Sequence, residues 1–439
     1  MFTTLSKLLA YRAAVAGEET ALTWTGTRVT WAALDRRVTA VAAALRRVTE
    51  PGQRAAILVP PSPDYVVAFL GVLRAGLVAI PVGPDRRAGV LADAEPSIVL
   101  ATAETVAPVR RFLSTLETCG HRVLAVDAVP DAAAVPDAPV LADDVAYLQY
   151  PGGVMVTHAN VLANARQAAQ VLGDDAVVTW LPPSDPLGLL LGVAVPVVTG
   201  VPAVVHDRRH LLADPPSGFA VALADAADPD LDRLREVFAL RVCYVRAEAT
   251  ALVACGHPAG QLVAIVDPDG RRVPPGETGE IWVSGPNVAR GYRNRPEQSA
   301  RVFCALLAGD AEPRWWLRTG DLGVLDESGR LSVTGRDLVA GLDPQDVEAT
   351  AGQAHPAIRP SGVAAFAVPG EHPVVVLALA DGVVPPRGEV ERAVRHAVVT
   401  RHGLTLRRVV VLPAGEPPRS RAQCRDRYLD GLLTADGLR

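Results

Sequence analysis

The side chains best suited to acid–base chemistry stand in two short segments of the first half of the chain. His158 belongs to the segment Thr157-His158-Ala159-Asn160, and Asp185 follows Ser184 just ahead of an apolar stretch. Histidine and carboxylate groups are the side chains that most often transfer protons in enzymes. We therefore take His158 and Asp185 as candidate catalytic residues, with a structural or helix-capping role as the alternative for His158.

Several other catalytic patterns are missing from the sequence. Ser184-Asp185 does not form the G-x-S-x-G turn of serine hydrolases, and no G-x-G-x-x-G motif supports a dinucleotide-binding fold. The histidines other than His158 lack the spacing of metal ligands. The five cysteines are scattered singly without a C-x-x-C pair, which favours reduced thiols over a disulfide framework or a zinc site.

The composition excludes some classes of partner. A net charge of -5 provides no basic surface for nucleic acid or for an anionic membrane. The uncharged stretch 186–205 is long enough to cross a bilayer, but prolines and glycines interrupt it. We predict a buried helix followed by a buried strand there, and no membrane span. The first residues have too short an apolar stretch for a signal peptide, so we expect a cytoplasmic protein.

A regular alternation of helices and strands must position these residues. Thr30 is an N-cap ahead of an amphipathic helix, 54–60 reads as a buried strand, 64–76 as a helix closed by glycine, and 77–82 as another strand. Short apolar strands separated by helices are typical of a largely parallel, doubly wound sheet covered on both faces. The first part of the chain is therefore predicted to have an α/β fold.

The sequence pattern changes after about residue 255. Short strands with Pro-Asp-Gly and Pro-Gly turns predict a β-rich subdomain over about 256–335, with a hairpin around Ser328-Gly329. From about residue 338, two helices alternate with three strands. We therefore predict a large N-terminal domain over 1–335, which includes the β-rich subdomain, and a small α+β domain over 338–439.

Several distinctive segments follow one another along the chain. The most specific are Val266-Asp267-Pro268-Asp269, GETGEIWVSGPNVARGY (276–292), WLRTGDLG (316–323), VTGRD (333–337) and DPQDVEATAGQAHPAIR (343–359). In this order they resemble the adenylate-forming superfamily, and especially the fatty-acyl-AMP ligases. The resemblance implies a two-domain ligase fold. It also implies a reaction that joins a carboxylic acid to AMP with ATP and Mg²⁺, usually followed by acyl transfer to a thiol.

Two parts that this family uses to handle phosphate have no match here. In place of a Gly/Ser/Thr-rich phosphate loop, Tyr150 is followed by Pro151-Gly152-Gly153, which predicts a tight turn joining strand to helix. In place of a C-terminal lysine motif, the tail over 416–425 contains only arginines as basic residues, and Lys7 is the single lysine of the chain. An arginine fork does not replace the point charge of a lysine.

Other positions keep remnants of the nucleoside and metal site. The resemblance assigns contacts to five residues: Asp321 and Arg336 at the ribose, Asp228 and Tyr244 at the adenine, and Glu248 at Mg²⁺. A purely structural role is the open alternative for Asp321 and Arg336. Beside Tyr244, a valine and an arginine replace the glycine of the family, and their side chains would crowd an adenine.

The acyl side of the resemblance is also reduced. The family segment W-L-P-x-x-H-D-M-G reads Trp-Leu-Pro-Pro-Ser-Asp-Pro-Leu-Gly over 180–188, so Asp185 remains but the histidine is gone. Between His206 and Ala227, a short connector replaces the helices that normally wall the acyl tunnel. A long fatty acyl chain therefore lacks its usual pocket.

Three hypotheses follow from these losses. In the first, the protein is a degenerate or repurposed family member that cannot adenylate and acts on an acyl group already activated on a carrier protein or as a thioester. In the second, it is a working acyl- or aryl-AMP ligase with a rebuilt phosphate site that uses ATP and Mg²⁺. In the third, it is a pseudoenzyme that binds an acyl carrier protein or a synthase. By family analogy, each belongs to lipid or secondary-metabolite biosynthesis.

Overall fold

The protein forms two compact units in the computed structural model. The first unit contains residues 1–264, 282–319 and 325–332, and the second contains residues 265–281, 320–324 and 333–439. The structure describes residues 2–438 except 84–86, 117–121, 132–137, 174–176, 207–220, 226–232, 234–235, 237–238, 268, 311, 337–343, 369–372, 381–384, 413–420 and 435–436.

A six-stranded sheet in the first unit carries the turn at which the phosphate loop would stand. Its strands, in spatial order, are β6 (Arg122–Ala125), β5 (Ile98–Ala101), β3 (Arg54–Ile57), β4 (Val78–Pro81), β7 (Val145–Gln149) and β8 (Val154–Thr157). All neighbours run parallel except β7 and β8, which are antiparallel. Every residue of β5 is buried, as expected for a parallel sheet covered on both faces.

Helices alternate with these strands as predicted. The six long helices of the first half are α1 (Leu5–Ala16), α2 (Trp31–Arg46), α3 (Pro63–Arg74), α4 (Arg87–Ala94), α5 (Val106–Ser114) and α6 (His158–Leu172). The side chain of Thr30 accepts a hydrogen bond from the Ala33 amide at 3.3 Å, which confirms it as the N-cap of α2. The chain leaves α3 through Gly76, whose φ of 78° favours glycine.

An eight-stranded sheet is the second large element of the first unit. Its strands, in spatial order, are β14 (His257–Pro258), β13 (Leu252–Cys255), β12 (Ala239–Val245), β11 (Val221–Asp225), β9 (Val177–Thr179), β10 (Ala203–Val205), β1 (Thr20–Trp24) and β2 (Thr27–Thr30). The central pairs are parallel, and the pairs at the two ends are antiparallel. The two sheets confirm the α/β prediction.

The uncharged stretch 186–205 is a buried helical segment followed by a strand, as predicted. It contains α7 (Pro186–Leu189), a π-helical turn (Leu190–Ala194), α8 (Val195–Thr199) and then β10. The guanidinium of Arg12 donates to the carbonyl oxygens of Val197 and Val198, which satisfies the end of α8. Among the described residues, no helix has the length and apolar character needed to cross a bilayer.

The cysteines differ from the sequence expectation of reduced thiols. Cys243 and Cys255 are joined by a disulfide, with their Cα atoms 4.3 Å apart. The prediction was wrong because β12 and β13 are antiparallel neighbours whose register pairs Tyr244 with Ala254, so the two cysteines fall side by side. Cys304 is an exposed thiol, and Cys424 is buried and takes no part in this disulfide.

The segment predicted to be β-rich contains a run of short strands. They are β15 (Leu262–Val266), β16 (Gly279–Ser284), β17 (Leu317–Leu325) and β18 (Leu331–Arg336), with helix α9 (Pro296–Phe303) between the second and third. Asp326 closes the turn before β18 by accepting hydrogen bonds from the amides of Ser328 at 2.9 Å and Arg330 at 3.0 Å. This turn confirms the hairpin predicted around Ser328-Gly329.

The C-terminal part of the second unit is a small α+β fold. A three-stranded sheet has the order β19 (Ile358–Phe366), β20 (Val374–Leu379) and β21 (Arg408–Val411). The remaining elements are α10 (Pro344–Gln353), α11 (Arg387–His402), α12 (Arg421–Leu429), β22 (Leu433–Thr434) and β23 (Gly437–Leu438). Every residue of β20 is buried, because apolar clusters pack against both faces of the sheet.

Candidate functional site

A tight turn over 151–153 joins β7 to β8, at the position of the family's phosphate loop. Gly152 and Gly153 have φ values of 100° and 66°, in the left-handed region that favours glycine. A Cβ atom at Gly152 would lie 3.5 Å from the ring of Tyr292, and one at Gly153 would lie 3.4 Å from the Tyr150 hydroxyl. The predicted tight turn is present, but it leads into β8 before helix α6 begins.

Acidic groups and arginines surround this turn in matched pairs. The Tyr150 hydroxyl donates to the Asp93 carboxylate at 2.6 Å, and burial followed by this hydrogen bond raises the pKa of Tyr150. Arg293 donates to the Asp93 carbonyl and forms an ion pair with Glu95 at 3.2 Å, while Arg295 lies 3.8 Å from the other Asp93 oxygen. An incoming phosphate would therefore compete with carboxylates for these arginines.

Glu248, the predicted Mg²⁺ ligand, has protein partners on both carboxylate oxygens. It lies in a short 3-10 helix (Ala247–Ala249) that follows β12. Its Oε2 is 3.1 Å from Nη2 of Arg246, and its Oε1 accepts a hydrogen bond from the Tyr292 hydroxyl at 3.0 Å. The side chains of Arg246 and Glu248 are 11% and 14% exposed, so this ion pair is only weakly screened by water.

Tyr292 connects the turn to this ion pair. Its backbone forms an antiparallel bridge with Val154 directly after the turn, its ring lies against Gly152, and its hydroxyl reaches Glu248. The ring also packs edge-on against Phe303, with centroids 5.1 Å apart. We call Arg246, Glu248 and Tyr292 the Glu248 cluster. Sequence reasoning missed this cluster, although a basic residue two positions before Glu248 was a signal for it.

The residue composition of the Glu248 cluster does not suit a divalent cation. Mg²⁺ binds carboxylate and other oxygen ligands, whereas a guanidinium already neutralises this carboxylate. In the described part of the chain, no three His, Cys, Asp or Glu side chains are grouped closely enough to hold a metal ion. A metal at Glu248 would have to share the carboxylate with the Arg246 guanidinium and the Tyr292 hydroxyl.

The predicted adenine contacts are partly described. Tyr244 is partly exposed on β12 and pairs with Ala254 of β13. The amide of Arg246 donates to the Ala251 carbonyl at 2.8 Å, so the backbone at this position is already hydrogen bonded within the β12–β13 connection. Asp228 lies outside the described residues.

The predicted ribose contacts lie on strands of the second part of the chain. Asp321 is 5% exposed on β17, in the second unit. The next residue toward the N-terminus, Gly320, donates its amide hydrogen to the Glu280 carboxylate at 3.1 Å within the same unit. Arg336 is the last residue of β18, and its side chain lies outside the described part. Arg419, one of the arginines of the tail over 416–425, also lies outside the described residues.

The candidate base His158 is the first residue of α6. It is 3% exposed, and burial lowers its pKa to about 4, against the opposing effect of Asp144. Thr157, not His158, caps the helix, through reciprocal hydrogen bonds with Asn160. His158 therefore has the setting of a neutral, buried framework residue.

The candidate Asp185 is the N-cap of α7. Its Oδ1 accepts hydrogen bonds from the amides of Leu187 at 2.8 Å and Gly188 at 3.1 Å. The structure thus places His158 and Asp185 at the starts of two different helices, where Asp185 caps its helix and His158 is buried. The backbone carbonyl before Asp185, that of Ser184, accepts a hydrogen bond from Gln149 at the end of β7 at 3.3 Å.

The fold is that of the adenylate-forming superfamily. A model of the AMP-binding enzyme family matches residues 9–224 and 237–293, and the chain belongs to this family. It is 31% identical to the long-chain-fatty-acid–AMP ligase FadD32 of Mycolicibacterium smegmatis, with 93% of this chain and 90% of that protein covered. It is 32% identical to the long-chain-fatty-acid–AMP ligase FadD26 of Mycobacterium marinum, with 93% of each chain covered.

Solved structures share the fold. The fatty acid AMP ligase from Legionella pneumophila has a TM-score of 0.67 at 24% identity, covering 99% of this chain and 97% of that one. O-succinylbenzoate coenzyme A synthetase from Bacillus subtilis has a TM-score of 0.65 at 24% identity, covering 95% and 98%. The two matches confirm the fold class predicted from the sequence.

The relatives contain segments that this chain lacks. The alignment with FadD32 extends over 570 positions, whereas this chain has 439 residues in all. The difference must consist of positions at which the relative has residues and this chain has none. The chain is thus shorter than FadD32, although the match covers 93% of this chain and 90% of that protein.

Proposed function

We propose that this protein is a repurposed fatty-acyl-AMP-ligase-like protein that does not carry out ATP-dependent adenylation. It acts on or binds an acyl group that is already activated, either on a carrier protein or as another thioester. The observation that carries the proposal is the Glu248 cluster, in which a guanidinium and a tyrosine hydroxyl engage the carboxylate expected to bind Mg²⁺.

A second observation supports the loss of adenylation. The turn over 151–153 offers no hydroxyl groups, and the arginines beside it are paired with Asp93 and Glu95. Removing a single preorganised contact to a developing charge typically costs about 10²- to 10³-fold in rate. The combined loss of the loop and of the lysine would slow adenylation by far more than either loss alone.

The setting of the proposal comes from the relatives. FadD32 and FadD26 are named as long-chain-fatty-acid–AMP ligases, which supports an acyl group as the ligand of this protein. We propose a cytoplasmic role in lipid or secondary-metabolite biosynthesis with an acyl carrier protein as partner. A non-catalytic role, in which the protein only binds the carrier protein, fits the same observations, because no nucleophile–base pair stands out among the described residues.

A working ligase is the second candidate, since Asp321 remains buried in an intact family segment. It would bind ATP and Mg²⁺, with Asp321 and Arg336 at the ribose. Calorimetry with ATP or AMP in the presence of Mg²⁺ separates the candidates when Asp321→Ala is the matched variant. We expect no heat of binding at millimolar nucleotide, and no pyrophosphate exchange with fatty acids.

Nucleotide binding that Asp321→Ala abolishes, together with pyrophosphate exchange, would overturn the proposal in favour of a ligase. The positive arm uses a fatty-acyl thioester of coenzyme A and an acyl carrier protein loaded with the same chain. We expect binding of the loaded carrier protein, with weaker binding of the unloaded one. Equal failure of both loaded probes would contradict the acyl-thioester part of the proposal.

A further inference from the structure

The disulfide between Cys243 and Cys255 joins two neighbouring strands at one end of a hairpin. The sequence separation of the two cysteines is 12, and the connection between them contains Arg246 and Glu248. The disulfide therefore closes the stem of the hairpin that carries most of the Glu248 cluster. None of the nucleoside, phosphate or acyl contacts considered above uses either sulfur.

The two sulfurs differ in access. Cys243 is 1% exposed, whereas Cys255 is partly exposed near the end of β13. A thiol in solution can therefore approach Cys255 more easily than Cys243. Such asymmetry is typical of exchanging disulfides, in which one sulfur is attacked from outside and the other leaves.

Basic groups lie around the accessible sulfur. The register of β13 and β14 pairs Cys255 with His257, which is exposed. A Cβ atom at the adjacent Gly256 would lie 3.9 Å from the guanidinium carbon of Arg330. The amide of Leu331 donates to the Gly256 carbonyl at 2.6 Å, and this hydrogen bond keeps the segment of Arg330 next to Gly256. A neighbouring guanidinium favours the thiolate, which is the reactive form of cysteine.

We propose that Cys243 and Cys255 form a reversible redox couple, with Cys255 as the sulfur that exchanges with external dithiols. A thiolate of the dithiol attacks the Cys255 sulfur, the disulfide bond breaks, and Cys243 leaves as a thiolate that takes up a proton. The second thiolate of the dithiol then attacks the dithiol's own sulfur in the mixed disulfide and releases Cys255 as a thiolate, which takes up the second proton of the dithiol. Two electrons pass to the protein, and the dithiol becomes a disulfide.

The tip of the hairpin is held by hydrogen bonds to other parts of the protein, so reduction loosens only the stem next to the disulfide. Asn164 exchanges two hydrogen bonds with the backbone of Leu252, at 2.8 and 2.9 Å, and Asn287 donates to the Ala249 carbonyl at 3.0 Å. Both asparagines are fully buried. The reduced protein therefore stays folded, and the redox state changes the order of the strands that hold Arg246 and Glu248.

The first experiment is a redox titration of the native full-length protein in buffers of reduced and oxidised dithiothreitol. Differential alkylation followed by peptide mass mapping gives the oxidation state of each cysteine separately. We expect one reversible two-electron transition confined to the peptides of Cys243 and Cys255, with Cys304 alkylated throughout. A pair that stays reduced in every buffer, or that is reduced only after unfolding, would overturn the proposal.

A second experiment identifies the exchanging sulfur. In the reduced protein at pH 7, we expect a maleimide to label Cys255 at least about tenfold faster than Cys243, because only the former is accessible. His257→Asn and Arg330→Gln should each slow the labelling of Cys255 several-fold and leave Cys304 unchanged. Equal rates at both cysteines, or no effect of either variant, would contradict the assignment.

The consequence for the Glu248 cluster is measured by amide hydrogen exchange over 244–254. Reduction should raise exchange about tenfold or more at the stem and leave the tip residues held by Asn164 and Asn287 protected. Cys255→Ser should show the reduced pattern under oxidising conditions, while Cys304→Ser should behave as wild type. If amide exchange were the same in the two redox states, the disulfide would not control the order of this hairpin, and this part of the proposal would be wrong. None of these readouts depends on whether the protein adenylates.

Discussion

The Glu248 cluster of the first unit and the segment around Asp321 of the second unit differ in what became of their carboxylates. The sequence resemblance assigns both carboxylates to the nucleotide site of the family. Glu248 now pairs with Arg246 and Tyr292, whereas Asp321 is buried within a strand whose sequence still follows the family pattern. The comparison shows that two carboxylates singled out by the same resemblance have different surroundings, an ion pair with a neighbouring guanidinium for Glu248 and burial within a strand for Asp321.

The largest expected effect concerns His158 of the first unit, and it tests whether this histidine is a framework residue and not a catalytic one. The pKa of His158 is about 4 in the folded protein, below its ordinary value of 6.5. Between these two values the unfolded chain binds a proton at His158 that the folded protein does not bind. The free energy of unfolding should therefore fall by about 3 kcal/mol between pH 7 and pH 4. Urea denaturation across this range checks the slope, and His158→Gln should remove it.

Breaking the ion pair of the Glu248 cluster should have the next largest effect. Glu248→Ala leaves the guanidinium of Arg246 buried without its carboxylate, which we expect to lower the free energy of unfolding by about 2.5 kcal/mol. In an Arg246→Met background the same substitution should cost much less, because no charge is stranded. Glu277→Ala, at an exposed glutamate, is the matched control. A small effect of Glu248→Ala would mean that this carboxylate has stayed free for a ligand.

Removing the Tyr292 hydroxyl tests the second partner of Glu248 in the cluster. Tyr292→Phe keeps the ring against Gly152 and Phe303 but deletes the hydrogen bond to the Glu248 carboxylate. A hydrogen bond to a charged group contributes about 1.5 kcal/mol, and we expect chemical denaturation to show a loss of that size. Tyr11→Phe, at an exposed ring, should change nothing. Stabilisation by Tyr292→Phe would argue against the proposed pairing.

The smallest effect concerns the turn over 151–153. Gly153→Ala places a Cβ atom at a φ of 66°, which should destabilise the protein by about 1 kcal/mol. Gly153→Asn should cost less, because asparagine tolerates this region, and Gly83→Ala, which has open space and no positive φ, should be neutral. Thermal unfolding of the three variants gives the order. An unaffected Gly153→Ala would mean that the turn is not held in this conformation.

Much of the fold could be predicted because its signals are local. The N-cap at Thr30, the alternation of apolar strands with amphipathic helices, and the turn at Ser328-Gly329 each depend on residues within a few positions of one another. The same holds for the C-terminal elements over 344–411, which match the predicted helices and strands. Family motifs extended the prediction to the order of the parts.

The candidate site could be predicted only as a set of positions. The sequence singled out Glu248 and the turn after Tyr150, but their partners Tyr292 and Asp93 are 44 and 57 residues away along the chain. The sequence offered His158 and Asp185 as candidates for chemistry, and only the structure showed that His158 is buried and that Asp185 caps a helix. The absence of a C-x-x-C motif misled the prediction for Cys243 and Cys255.

The sequence by itself thus determined the elements, their order, the absence of lysine after Lys7 and the absence of hydroxyl side chains over 151–153, since residue identity and short-range periodicity fix these. Only the tertiary structure decided that Arg246 neutralises Glu248 and that Cys243 meets Cys255. The physical reason is strand register and packing. They bring together side chains that no local pattern connects, and a carboxylate becomes a ligand site or a paired charge according to the neighbours that the fold supplies.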